Sequence, residues 1–313
     1  MSVQAPHNSR NLEVNANGAD PQSELAVSVL LPATNPWPAV SLALESLLSQ
    51  THAPTFEVLV LDGHGQALAS APCHSNVRLI CLPGYDSFAL RAEGIAQAHG
   101  AVVAITEDHC IMPADWIASI AAAHRNDASP AIVGAVSNHP DSAAKAIDRA
   151  NFILTFAGQT PGRLHLGHRR LPVPTNLSFK RRAVDTRLAP GELEYRWLAE
   201  LLHQRSVGTA ESVVVRHNQS WGTSTWAVHL ASGRSYGAAV HDASFRTRAR
   251  WWLTFPIVPL RLFALVIREL AHGAGGTAFA SADVICSAAL IAANVCGQVL
   301  GALWGPGTSR HRL

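Results

Sequence analysis

Three short apolar runs in this chain each stop at polar or acidic residues, and that pattern narrows the possible folds more than any other feature. Ala26-Val27-Ser28-Val29-Leu30-Leu31 closes at Pro32, and Phe56-Glu57-Val58-Leu59-Val60-Leu61 closes at Asp62-Gly63. Ala101-Val102-Val103-Ala104-Ile105 closes at Thr106-Glu107-Asp108-His109. Near-continuous apolar runs of this length suit strands covered on both faces, as in a parallel sheet. Between them, Val40, Leu44, Leu47 and Leu48 share one face of a predicted helix over 39–50. Residues 76–82 read as a further strand and 87–99 as a second helix, and Pro113-Ala114-Asp115-Trp116 opens a third. The alternation predicts an α/β fold whose strand ends bring Asn35, Asp62 and Glu107-Asp108-His109 to one edge, where open α/β sheets bind ligands. Acidic and imidazole groups gathered there suit a divalent ion and a nucleotide.

A chain of 313 residues with 48% hydrophobic residues has room for one large α/β domain and appendages. Its formal net charge of +2 and 15% charged residues provide no concentrated basic face, so nucleic acid is not an expected partner. The 5 cysteines contain no Cys-x-x-Cys pair, which fits reduced thiols in a cytosolic compartment. Residues 1–24 have neither an apolar core nor a basic start of the secretory-signal kind, and read as a disordered lead-in.

The segments at 27–35, 43–51 and 56–63, in this order, resemble the N-terminal half of family 2 glycosyltransferases, and the resemblance extends from about Leu25 to Gly237. It implies the GT-A fold: α/β, with a mixed, mainly parallel sheet flanked by helices, here followed by C-terminal apolar helices. It also implies a nucleoside-diphosphate sugar as donor, with its base near Asp62 and with Pro32, Asn35, Arg91, Glu107 and Asp108 around it. Glu107-Asp108-His109 stands where the family carries Asp-any-Asp, so the resemblance assigns a divalent cation to Asp108 and His109. The terminal histidine favours manganese over magnesium, which prefers oxygen donors.

Inverting members of that family carry Gly-Glu-Asp before the acceptor-side helix, and this chain has Gly191-Glu192-Leu193-Glu194. With Leu193 in the aspartate position, Glu192 is the first candidate general base and Glu194 the second; a base must be a carboxylate within reach of the acceptor hydroxyl. Acidic residues in a first helical turn are also favoured by the helix dipole alone. Leu171 to Arg181 resembles the family's Asn-Leu-Ser-Phe segment, in which Asn176 and Ser178 are expected to contact acceptor or diphosphate while Leu177 and Phe179 enter the core. His217, closing the run that begins at Ser212, stands where members of that family often carry a histidine, and the resemblance makes it a candidate ligand for diphosphate or metal. Arg163, His165, His168, Arg169 and Arg170 form a basic stretch suited to diphosphate oxygens.

The expected organisation is the lead-in at 1–24, a GT-A domain over 25–242, and a C-terminal membrane-associated helical segment over 243–313. Arg246, Arg248 and Arg250 precede Trp251-Trp252, and Val284 to Trp304 just reaches the ~20 apolar residues of a spanning helix. Arginines and tryptophans at these flanks point to the cytoplasmic face of a membrane, with the chain attached at its C-terminal end, and Arg261 favours an interfacial first segment. The combined expectation is transfer with inversion to a saccharide or lipid-linked acceptor in polysaccharide or glycolipid assembly. The alternative is a catalytically degenerate protein of the same fold that binds donor or scaffolds at a membrane. A dinucleotide enzyme is disfavoured because no Gly-x-Gly-x-x-Gly follows the first strand.

Overall fold

The computed structural model describes residues 26–65, 74–166, 171–220, 222–241, 244–271 and 281–307. The lead-in at 1–24, the basic residues His168, Arg169 and Arg170, the domain boundary at 242–243 and Arg310 to Arg312 lie outside the described residues.

The first apolar run is β1 (Val27–Ala33), buried at every position. It leads into α1 (Trp37–Leu48), which has a proline in its opening turn, where no N–H partner is lost. β2 (Phe56–Asp62) pairs parallel with β1 from Val27↔Phe56 to Ala33↔Asp62. β3 (Val77–Cys81) lies parallel on the outer side of β2. α2 (Ser87–Gln97) starts where the Asp86 side chain accepts a hydrogen bond from the Ala89 N–H, a capping contact that satisfies one orphan donor of the first turn. β4 (Val102–Ile105) then pairs parallel with the other side of β1.

Next come β5 (Cys110–Ile111), α3 (Trp116–Asn126), β6 (Ala131–Asn138) and α4 (Ala146–Phe156). A two-stranded ribbon of β7 (Gln159–Thr160) and β8 (Arg163–Leu164) precedes β9 (Leu177–Lys180). A π-helical turn at Leu193–Leu198 runs into α5 (Ala199–His203), and β10 (Val207–His217) completes the sheet. The strand order is β3-β2-β1-β4-β9-β6-β10-β5. β9 is antiparallel to β4 and β6, β5 is antiparallel to β10, and the remaining pairs are parallel. This is the mixed, mainly parallel sheet that the resemblance implies.

Both faces of the sheet are covered, which is why the strands read as continuous apolar runs. Val29, Leu31, Val58 and Val60 pack with Leu44 and Leu47 of α1 and Trp116 and Ile120 of α3. Leu30, Leu59 and Leu61 point the other way, onto Leu90 and Ile95 of α2.

Four helices follow: α6 (Thr225–His241), α7 (Phe245–Thr254), α8 (Ile257–Ala271) and α9 (Ser281–Trp304). Phe255-Pro256 divides the first C-terminal apolar segment into α7 and α8, and α9 is the C-terminal apolar helix. α6 and α9 run in the same direction with their backbones touching. A Cβ on Gly233 or Gly237 would strike the carbonyl of Asn294 or Gln298, and one on Gly297 or Gly301 the carbonyl of Leu230 or Arg234. α6 precedes the expected boundary at 242, so the packing of these two helices crosses that boundary. A third apolar cluster joins Ala150, Ile153 and Leu154 of α4 to Val266 and Leu270 of α8 and to Leu290 and Ile291 of α9. Arg149 of α4 also binds the buried Asp283 of α9, at 2.6 Å.

Candidate functional site

The carboxyl ends of β1, β2 and β4 lie side by side, and the turns that leave them build the site. β4 ends at Ile105, and Glu107, Asp108 and His109 follow before β5 turns back along β10. That antiparallel pairing sets His217 opposite Cys110, next in the chain to His109. The two imidazoles meet edge to face with Nε2 to Nε2 at 3.1 Å, and His109 Nε2 stands 3.2 Å from Glu107 Oε2. Ligand atoms of Glu107, His109 and His217 all lie within 4.8 Å of one another. Phe156 of α4 packs its ring against His217 at 4.9 Å between centroids and closes that side.

Asp108 takes a different position from its neighbours. One of its oxygens accepts the N–H groups of Thr34 (2.6 Å) and Asn35 (2.8 Å). The other accepts Asn35 Nδ2 at 2.7 Å and His109 Nδ1 at 3.0 Å. Asp108 thus fastens the loop after β1 to the loop after β4 and orients the His109 ring. Glu107, His109 and His217 form the candidate ligand cluster, and Asp108, joined to His109 by this hydrogen bond, lines the same cleft.

Burial disfavours charge on His109, but the hydrogen bonds and charges of Asp108 and Glu107 outweigh it and push its pKa up to about 9. For His217, burial and then the His109 charge bring the value down to about 3. Burial would raise Glu107, yet the His109 hydrogen bond and charge, with His217 and Arg91, hold it at about 2. Charge is thus favoured on His109, between two carboxylates, and disfavoured on His217, whose Nε2 lies 3.1 Å from that of His109. The buried Nδ1 of His217 has no hydrogen-bond partner among the described residues.

This donor set fits a divalent cation. Ligand atoms about 2 Å from an ion stand about 3 Å apart, close to the 3.1 and 3.2 Å that separate His109 Nε2 from His217 Nε2 and from Glu107 Oε2.

Pro32, Thr34 and Arg91 line the same cleft as the cluster. Arg91 Nε donates to Glu194 Oε1 at 2.7 Å, and both side chains are buried. Glu194 is thereby engaged as the partner of a cleft arginine. Glu192 is partly exposed; it accepts the Ala189 N–H at 2.8 Å and pairs with Arg196 at 3.1 Å. Neither glutamate lines the cleft beside the cluster. Asp62 is buried at the end of β2, and its Oδ1 accepts the N–H groups of His64 and Gly65, each at 2.9 Å. The next residue must be glycine, since a Cβ at Gly63 would stand 2.9 Å from the Tyr85 carbonyl oxygen.

Asn176 and Ser178 are not brought to the cleft. The Asn176 amide donates to the carbonyls of Ala135 and Val213 and accepts Trp116 Nε1, all inside the sheet. Ser178 Oγ lies 2.9 Å from His124 Nε2, also buried. Arg163 pairs with Glu269 of α8. The sequence reading gave no role to Asn151 and Thr155, which line the cleft from α4. Their four-residue spacing, in the apolar stretch that ends the helix, is the signal that would have marked them.

The family described as Glycosyl transferase family 2 matches residues 28–187, more than half of the chain. No curated protein sequence matches it. Among solved structures, residues 1–349 of S. aureus TarS align at 14% identity with a TM-score of 0.42, covering 86% of this chain and 90% of that one. The same TarS fragment in complex with UDP-GlcNAc aligns at 13% identity with a TM-score of 0.43, covering 86% and 91%. A longer TarS structure is covered over 55% of its length.

Proposed function

From the chain's membership of glycosyl transferase family 2, shown over residues 28–187, we propose that it moves a sugar from a nucleoside-diphosphate sugar to an acceptor hydroxyl with inversion. The acceptor is a saccharide or a lipid-linked saccharide, and the C-terminal helices hold the enzyme to the cytoplasmic face of a membrane.

One observation carries this reading: the Glu107, His109 and His217 cluster shares a cleft with Arg91 and the β1 loop, one strand from Asp62. Asp62 takes the base of the donor. Arg91, pre-set by its ion pair with Glu194, faces the diphosphate, where a guanidinium fork can bind two oxygens. Glu107, His109 and His217 would hold a divalent cation, manganese in preference to magnesium, whose charge when bound stabilises the departing diphosphate. Asp108 keeps His109 aimed at the cleft through Nδ1. Glu192 is the preferred base because its pair with Arg196 is on a partly exposed side chain, whereas the Glu194 carboxylate is buried against Arg91. Protonated on transfer, Glu192 would accept the acceptor proton as the oxygen attacks the anomeric carbon.

Purified protein mixed with a panel of nucleotide sugars, with and without manganese, tests the proposal. Thermal stabilisation by one donor and release of its nucleoside diphosphate are expected, both strengthened by manganese. Stabilisation with no release, even with acceptors present, would leave a donor-binding protein without turnover, and no stabilisation by any donor would sink the proposal.

A further inference from the structure

α7 has no buried side chain along its whole length. Phe245 is 84% exposed and Leu253 82%, with Trp252 also open to solvent. Arg246, Arg248 and Arg250 are exposed on the same helix. α8 continues this surface: Ile257, Leu260 and Phe263 are exposed at three-residue spacing, with Arg261 and Arg268 among them. The other side of α8, at Val266 and Leu270, is packed on α4 and α9. Single exposed apolar residues are ordinary, whereas six large ones along two consecutive helices mark a surface that is covered in use.

Charge and length identify what covers it. Along α7 and α8 the single acidic residue is Glu269, buried and paired with Arg163 and Arg268, so the exposed charge of this surface is uniformly positive. Helices of 10 and 15 residues extend about 15 and 22 Å, short of the ~30 Å of a bilayer core. They can lie in the headgroup plane, with aromatic and aliphatic side chains in the acyl boundary and guanidinium groups at the phosphates. α9 is long enough to span, but Arg149 holds its Asp283 and its glycines lock against α6, so it is engaged within the protein.

Deepening the membrane attachment proposed above and resting on it, we infer that α7 and α8 dock in the plane of an anionic bilayer, with α4 linking that surface to the cleft. α4 makes the link because Ala150, Ile153 and Leu154 pack on α8 and α9 while Asn151 and Thr155 line the cleft.

The test is co-sedimentation of the full chain with phosphatidylcholine vesicles, with and without phosphatidylserine, together with tryptophan quenching by shallow and deep brominated lipids. Partition into the anionic vesicles only, quenching by the shallow label and release by alkaline carbonate are expected. An R246E/R248E/R250E variant should partition on the order of a hundredfold less, since each arginine near an anionic surface contributes about one factor of five. L253E/L260E should lose binding as well, and thermal melting shows that both variants remain folded. Failure to bind anionic vesicles, equal binding to neutral ones, indifference to both variants, or resistance to carbonate with deep quenching would each overturn the inference. Nucleotide-sugar stabilisation measured in solution on the same variants should be unchanged, so failure of the docking surface is distinguishable from failure of the glycosyltransferase reading.

Discussion

His109 and His217, which the fold brings together through the pairing of β5 with β10, face each other Nε2 to Nε2 at 3.1 Å beside Glu107. One is driven toward the charged form and the other toward the neutral form.

Replacing Glu107, His109 or His217 by alanine should each weaken manganese binding by roughly a hundredfold or more, the scale set by disrupting supporting partners of metal ligands. Calorimetric titration with manganese alone is the measurement. Because the three act as one set, the double variant H109A/H217A should lose little beyond either single change. Undiminished manganese affinity in H217A would remove that residue from the ligand set.

Asp108→Asn tests whether that carboxylate ties loops together or binds metal. It removes the charge from a group accepting two backbone N–H bonds and two side-chain bonds, at a cost of about 2 kcal/mol. The expected result is a lower melting temperature with manganese affinity changed less than in Glu107→Ala. Metal binding abolished with no loss of stability would mean that Asp108 is a ligand.

The two glutamates should separate cleanly. Glu192→Gln should leave stability and donor binding near their normal values while slowing turnover by about 100-fold or more, as loss of a general base does. Glu194→Gln leaves Arg91 buried without its charge partner, a loss of about 3 kcal/mol in chemical denaturation. Equal turnover in Glu192→Gln and the native enzyme would exclude Glu192 as the base.

His124 predicts a pH dependence of stability away from the cleft. Its pKa is lowered to about 4, first by burial and then by the Lys180 charge. The unfolded chain therefore binds more protons between pH 6.5 and 4, so this stability is present above pH 6.5 and is lost as pH falls toward 4. Urea denaturation should show about 2 kcal/mol less stability at pH 5 than at pH 7.5 from this group, and His124→Gln should flatten that slope. An unchanged slope in the variant would refute the assignment.

The sheet was legible because its chemistry is local: Val58 to Leu61 and Val102 to Ile105 are apolar on both faces, and Asp62 and Glu107 follow directly. Much of the cluster was legible too, since His217 closes its own strand. The division of labour within Glu107-Asp108-His109 was not. Adjacent residues in a tight turn point in different directions, and which one meets the Thr34 and Asn35 N–H groups depends on a loop some seventy residues earlier. Glu194 was hidden for the same reason, since its partner Arg91 lies 103 residues away. The α6–α9 contact is written as glycines four apart in each helix, but such spacing names no partner.

α4 is synthesised long before α9, yet the outer side of α4 is covered by Leu290 and Ile291, and its Arg149 is matched by Asp283. The inner side of α4, at Phe152 and Phe156, meets core residues that all precede α9 in the chain, whereas its outer side waits for α9. The wall that carries Asn151 and Thr155 therefore gains its backing from Leu290 and Ile291 only once α9 has been made.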